Sequence, residues 1–420
     1  AVSEPLDAES LQSRVLEPGQ ALIEYLMGDE KLSIFVVTRD ELRYREVPVG
    51  RDELRRRLAE LSPLFEANGS TNEGSRGPSF NARLADFSLP PARALYELLL
   101  EPIEAWLPEG GELIVVPDDL LFYVPFEALV VDSGSAEHRY DFSAATFVVE
   151  RYVVSYSPAA SLLDPRLRRP RQFARGLLAF GNPAFDTAVE DQPPLPSSEA
   201  EVEAIRDAFG GHDNGVYVGR EATEAVFKQE AEHYGVLHFA THFLSDDRQP
   251  LYSRILLAPT DGAKDDGSLQ TYEIFDAKLN ADLAVLSACN TGLGRLRKGE
   301  GLIGISRAFL YAGVPSLVVS LWSVDDEATA KIMARFYEGL RSGASKKQAL
   351  RQAKLDYLEV SQGDKKDPFY WAPFVLNGDW QPLTLPATSR SRRPWMPVLL
   401  AGFGLVVFLF IKKKHRAPST

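Results

Sequence analysis

Two residues in this chain have the types and setting for covalent chemistry: Cys289, its single cysteine, and His242. Cys289 closes the segment that begins with Leu283–Ser287, a short apolar run of the kind that forms a buried parallel strand. His242 closes Tyr234-Gly-Val-Leu-His-Phe-Ala-Thr-His, in which Val236–Ala240 reads as a second such strand. Parallel sheets carry ligands and chemistry beyond the carboxyl ends of their strands, so both residues are expected on one rim. A thiol becomes a nucleophile when a neighbouring base or cation favours the thiolate. An imidazole beside it can take the thiol proton and deliver it to a leaving amine. Asn290-Thr-Gly292 suits a tight turn that would expose the sulfur. The backbone N–H of Cys289 is then the natural first donor to an oxyanion.

Plainer readings compete. A free cysteine is most often a small buried hydrophobe, and His242 can be a polar residue at a strand end. His238 lies four positions earlier, on the same strand face but further from the rim, and reads as a satisfied core polar group. Zinc binding by His238 and His242 would need a helix and a third ligand, whereas the context is strand-like. Neither a metal nor an organic cofactor is expected. Asp325 and Asp326 follow another apolar strand, Ser316–Ser320. They can form an acidic substrate pocket that selects Arg or Lys, or the acidic first turn of a helix over Asp325–Arg341; the second reading is preferred.

The elements that must hold these residues alternate. Strands are predicted at 176–180, 236–240, 254–258, 283–287 and 316–320, and helices at 199–209, 223–231, 301–312, 325–341 and 345–358, with Ser197 or Ser198 capping 199–209. That alternation implies an α/β protein with a mostly parallel central sheet. The first part, to Tyr156, opens with strands at 21–26, 32–38 and 42–47, a helix at 51–61, a Gly/Ser/Asn-rich loop at 68–79, a helix at 91–107 and a strand at 112–116. It holds no nucleophile constellation, and Asp118 and Asp119 read as turn residues.

At 420 residues, one large or two modest domains are expected. The 46 basic against 59 acidic side chains give −13, which argues against nucleic-acid binding. One cysteine excludes an intrachain disulfide. The amino terminus, Ala-Val-Ser-Glu-Pro-Leu-Asp, is no signal peptide, and the start at Ala1 suggests a fragment or processed product.

A wider pattern surrounds the two candidates. His238-Phe-Ala-Thr-His242, Ser287-Ala-Cys289-Asn-Thr-Gly292, Gly299-Glu-Gly-Leu-Ile-Gly304, Ser306-Arg-Ala-Phe309 and Ser320-Leu-Trp-Ser-Val-Asp-Asp326 stand in order. Weaker matches are Val116-Pro-Asp118, Pro125-Phe-Glu-Ala-Leu129 and Leu195-Pro-Ser-Ser-Glu-Ala-Glu201. Together, over roughly Ala21 to Trp380, they resemble the CHAT family, caspase-like cysteine peptidases of the group that includes caspases and separase. The resemblance implies a caspase-like three-layer sandwich at 157–386 behind an α+β amino-terminal subdomain at 1–156, the latter serving as scaffold or regulatory surface. It implies Cys289 as nucleophile, His242 as base, and backbone N–H groups of Cys289 and Phe243 as the oxyanion donors. Many members carry glycine where Phe243 stands, a position glycine enters more freely. The partner implied is a protein substrate, with gasdermin-like pore formers and bacterial defence or signalling as the setting, and an upstream sensor region. The rival function is a catalytically silent interaction module.

The carboxyl terminus reads separately. A linker at 387–394 leads into Trp395–Ile411, 17 residues without charge, and a basic tail at 412–420. Its length and flanks fit a single-pass helix anchoring the chain in a lipid bilayer. Both flanks are basic and leave the orientation open, and the lone cysteine and the family resemblance favour a cytoplasmic peptidase domain.

Overall fold

The computed structural model describes residues 6–61, 87–168, 171, 173–185, 192–210, 213–246, 249–260, 265–287, 295–297, 301–322 and 325–384. The loop expected at 68–79 and the run Trp395–Ile411 lie outside the described residues. Among the described residues no helix is long and apolar enough to cross a membrane.

Among the described residues, eighteen strands follow in chain order. β1 (Gln20–Met27), β2 (Leu32–Thr38), β3 (Leu42–Val47) and β4 (Glu112–Val116) come first, then β5 (Val130–Asp132), β6 (Thr146–Phe147), β7 (Val153–Tyr156), β8 (Arg175–Pro183) and β9 (Gly215–Gly219). β10 (Tyr234–Ala240), β11 (Phe243–Leu244), β12 (Arg254–Leu256), β13 (Ser268–Gln270) and β14 (Leu283–Leu286) lead to β15 (Arg295–Arg297), β16 (Gly301–Ile303), β17 (Ser316–Ser320) and β18 (Phe374–Gly378). Eleven of them form one sheet in the order β3-β2-β1-β4-β7-β18-β17-β14-β10-β8-β9.

Nine of its strands fall into two parallel blocks, and β2 and β3 extend one of them as antiparallel edge strands beyond β1. β1, β4, β7 and β18 run one way, while β17, β14, β10, β8 and β9 run the other. The blocks meet at the antiparallel pair β17–β18, from Ser316↔Gly378 to Ser320↔Phe374. Strands from both sides of Tyr156 therefore share one hydrogen-bonded surface, through the pairing Asn377↔Tyr156. The inner strands β10, β14 and β17 are buried at every residue, as continuous apolar runs require when helices cover both sheet faces.

Helix placement follows from crossover hand. The helix Pro196–Phe209 links β8 to β9, stepping outward to the edge, and Ile305–Ala312 links β14 to β17, stepping the opposite way. Right-handed crossovers put such connections on opposite faces. The contacts agree: Pro196–Phe209 packs with Asp326–Arg341 and that helix with Lys346–Val360, whereas Thr271–Asp276 packs with Ile305–Ala312.

Several boundaries differ from expectation for local reasons. The helix expected over 91–107 ends at Leu99 and resumes as a 3-10 turn, Glu101–Trp106, because Pro102 cannot donate to the preceding turn. Gly301–Ile303 pairs with Arg295–Arg297 as a hairpin, and the helix starts only at Ile305. The expected serine cap is absent: Leu195 precedes the helix Pro196–Phe209, and Ser198 Oγ instead donates to the Leu195 carbonyl.

Candidate active site

The site is built on the register between β10 and β14. These strands are parallel neighbours, paired from Val236↔Leu283 to Phe239↔Leu286. Their carboxyl ends leave the sheet side by side. His242 comes three positions after Phe239, and Cys289 three positions after its partner Leu286. Ser287, the last described residue before the cysteine, is buried. Cys289 itself lies outside the described residues.

A neighbouring backbone grips the chain at the end of β10 twice. Thr241 Oγ1 donates to the Leu256 carbonyl at 2.6 Å, and the Leu256 N–H donates to the His242 carbonyl at 2.9 Å. Leu256 belongs to the three-stranded antiparallel sheet β11-β12-β13, so this small sheet braces the rim. The second of those bonds also fixes the polarity of the next residue. Phe243 pairs with Ile255, and a bond between the flanking residues makes this the non-hydrogen-bonded kind of antiparallel pair. The Phe243 N–H therefore points away from β12 and is not spent on it. Phe243 is not among the residues with positive φ, so this backbone does not require glycine's freedom.

The His242 ring is buried, only 6% exposed, with one nitrogen fixed. Nε2 lies 2.8 Å from the Pro193 carbonyl oxygen. A carbonyl only accepts, so Nε2 carries the proton and, in the neutral ring, Nδ1 keeps its lone pair. Phe185 packs edge-on against the imidazole at 5.6 Å between centroids. Burial pulls the imidazole below its ordinary 6.5, partly opposed by the Pro193 hydrogen bond. The ring is thus held neutral at physiological pH, as a proton acceptor must be.

The segment that carries Pro193 is held two residues on, at Leu195, by Asn182 at the end of β8. Asn182 adopts φ of 43°, in the left-handed region that asparagine tolerates better than most residues. Its Oδ1 accepts the Leu195 N–H at 3.0 Å, and its own N–H donates to Ser198 Oγ at 2.7 Å. A hydrogen-bonded path therefore runs from Asn182 through 193–195 to His242. None of these supports was anticipated from the sequence. The only signal was Asn182-Pro183, a turn dipeptide at a strand end.

The other candidates take structural positions. His238 is fully buried, with Nδ1 3.0 Å from Tyr337 Oη and Nε2 3.2 Å from Glu201 Oε1, so both nitrogens are satisfied inside the core. Asp325 is the N-cap of Asp326–Arg341: its Oδ1 accepts the Ala328 N–H at 3.0 Å. Asp326 is exposed in the first turn. Among the described residues no group of His, Cys, Asp and Glu is arranged to hold a metal ion.

Comparison with known proteins bears on the same region. The family model described as CHAT domain matches residues 89–379. Tetratricopeptide repeat protein 28 of Mus musculus is 28% identical over 384 residues, covering 80% of this chain and 15% of the relative. The Homo sapiens counterpart is 28% identical over 441 residues, covering 92% of this chain and 17% of its own length. This chain thus spans about a sixth of the curated relatives it matches. Among solved structures, a chain of the Saccharomyces cerevisiae separase–securin complex superposes with a TM-score of 0.51 at 10% identity, covering 88% of this chain and 31% of that one. At that identity the likeness concerns the fold: a mixed α/β architecture with a large, mostly parallel sheet.

Proposed function

Because this chain belongs to the CHAT domain family, we propose that it is a cysteine endopeptidase with Cys289 as nucleophile and His242 as base. One observation carries the reading. The only buried, neutral imidazole at the carboxyl rim of the parallel block, among the described residues, stands where β10 exits beside β14, the strand that runs into the chain's single thiol.

The chemistry follows from which nitrogen is occupied. With Nε2–H given to Pro193, Nδ1 accepts the thiol proton. The sulfur then adds to the scissile carbonyl carbon, and the oxygen takes the negative charge. The N–H groups of Cys289 and Phe243 are the proposed donors to that oxygen; support for the second is that β12 leaves the Phe243 N–H unspent. As the C–N bond breaks, the imidazolium returns its proton to the amine nitrogen. Water, deprotonated by the same ring, cleaves the thioester and restores the thiol. Desolvation of His242 suits this cycle, since an uncharged ring is the form that takes the thiol proton.

The substrate is proposed to be a protein, with gasdermin-like pore formers as one class implied by family resemblance. The pocket role for Asp325 and Asp326 is the weaker part of this reading, because Asp325 already serves as a cap. We further propose that 157–386 acts as the peptidase core, that 1–156 acts as its scaffold, and that Trp395–Ile411 anchors the chain in a membrane with the core on the cytoplasmic side. The relatives' tetratricopeptide repeats, known here from their name, favour a helical-repeat sensor in the same or a separate chain.

A single cysteine makes the test clean. A peptidyl acyloxymethyl ketone probe should label the full chain, and Cys289→Ala and His242→Ala should each abolish labelling. Labelling that survives His242→Ala removes the dyad. No labelling of the native chain, with and without membranes, favours a silent interaction module.

A further inference from the structure

On the helical face behind the rim, the helices Thr271–Asp276 and Ile305–Ala312 and the 3-10 turn Pro250–Tyr252 enclose a groove of about 300 Å³. Its walls are apolar and aromatic: Leu251, Phe275 and Tyr311, with Pro250 and Thr271. Tyr311 is 77% exposed and Leu251 50%, and the two line one groove instead of standing singly. The Phe275 and Tyr311 rings lie 5.3 Å apart, forming one open aromatic surface. Among the described residues Arg307 is the only charged one lining the groove, and no described carboxylate pairs with it. In a chain of net charge −13, an exposed guanidinium beside an open aromatic surface is suited to an external acid.

Topology ties the groove to the site. Thr271 opens its helix by bonding Ser253, through both its N–H and its hydroxyl, beside the strand β12 that braces His242. Gly304 opens the helix that follows the Cys289 segment. Both helices therefore start at the carboxyl rim and run away from it. The volume is at the small end for a binding pocket, enough for one or two side chains and too little for an organic cofactor.

We propose that this groove is a substrate-docking site that takes a peptide segment carrying an aromatic side chain flanked by acidic residues. Calling the bound peptide a substrate rests on the peptidase reading above; the binding does not.

The test uses the full chain carrying Cys289→Ser and a fluorescein-labelled heptapeptide, Gly-Ser-Glu-Trp-Asp-Ser-Gly, read by fluorescence anisotropy. Saturable binding is expected, and Tyr311→Ala and Arg307→Glu should each weaken it by about tenfold or more. A probe with both acids changed to lysine should bind the native groove poorly and recover on Arg307→Glu. Circular dichroism of the two surface variants verifies their folding. Equal affinity in all three proteins, or no saturation below about 1 mM, overturns the proposal. So does a self-association of the chain that Tyr311→Ala abolishes, which would make the occupant a second copy. Ketone labelling separates the two ideas: intact labelling of Cys289 in the Arg307→Glu protein with lost docking leaves the dyad standing, and groove-dependent docking in a chain whose native Cys289 is never labelled leaves the groove.

Discussion

Replacing Asn182 should slow the chemistry of a cysteine it does not touch. The path runs through the Asn182 Oδ1 bond to Leu195 N–H at 3.0 Å and the Pro193 carbonyl that fixes His242 at 2.8 Å. Alanine removes the side-chain acceptor, worth about 0.5–1.5 kcal/mol. It also leaves a β-carbon in a left-handed backbone, at φ of 43°, costing roughly 1–2 kcal/mol. If all of that is drawn from the population in which Pro193 faces the imidazole, the ceiling is a roughly 10- to 300-fold loss of rate. Glycine loses the hydrogen bond but not the backbone freedom, so Asn182→Gly should cost about 2- to 10-fold. Asn182→Asp keeps the acceptor beside the amino end of Pro196–Phe209, where negative charge is favoured, and should stay within about threefold of native. The assay is the second-order rate of iodoacetamide alkylation, which reports Cys289 alone because no other thiol exists. Thermal unfolding is measured alongside. The order native, Asp, Gly, Ala is the signature of a positioning role. Alkylation unchanged in Asn182→Ala while its unfolding temperature drops would refute the path from Asn182 to His242.

Because burial lowers the His242 pKa from 6.5, the acid limb of Cys289 alkylation in the native chain should fall below pH 6.5; a limb above that value contradicts a desolvated imidazole. The same shift is a stability term: it is complete above about pH 6.5 and is lost as pH falls through the folded value, so acid unfolding of His242→Ala should begin at lower pH. Lys354 Nζ lies 2.9 Å from Glu127 Oε1 with both groups buried, and Tyr156 donates to the other carboxylate oxygen. Lys354→Met should destabilise by about 3–5 kcal/mol in urea titration, and Lys354→Met with Glu127→Leu should recover much of that; a double variant as weak as the single one contradicts the unpaired-charge explanation. A β-carbon at Gly181 would lie 2.7 Å from the Ser198 carbonyl and 2.7 Å from Val202 Cγ2, so Gly181→Ala should cost about 1–3 kcal/mol and lower Cys289 reactivity through the same helix end.

What could be read from the sequence was what depends on period and composition. β10, β14 and β17 announce themselves as unbroken apolar runs, because strands covered on both faces have no polar side to show. Asp325 and Ser345 were legible as helix starts because each carries its cap in its own side chain. The supports of His242 were not legible. A backbone carbonyl such as that of Pro193 has no residue-type signature, and the Leu256 clamp on 241–242 exists only once β12 lies against β11. The polarity of the sheet was equally hidden. Periodicity finds strands, but whether β18 runs with or against β17 is settled by how Lys346–Val360 and the turn after it return the chain.

That reversal at β17–β18 matters for the site. In a sheet of one direction, all carboxyl ends share an edge and any strand could lend a residue to the rim. Here β18, β7, β4 and β1 present their carboxyl ends at the opposite edge, so β17, β14, β10, β8 and β9 are the contiguous strands that can build the site with their exits. The motif residues divide accordingly. Glu127, from Pro125-Phe-Glu-Ala-Leu129 in the first part of the chain, meets Lys354 in the interior and works on stability. His242, and the segment after β14 that carries Cys289, come from the second block. On this view the first block acts on catalysis only through the sheet it completes. Substitutions such as Lys354→Met should then lower the unfolding free energy while leaving the pH profile of Cys289 alkylation in place.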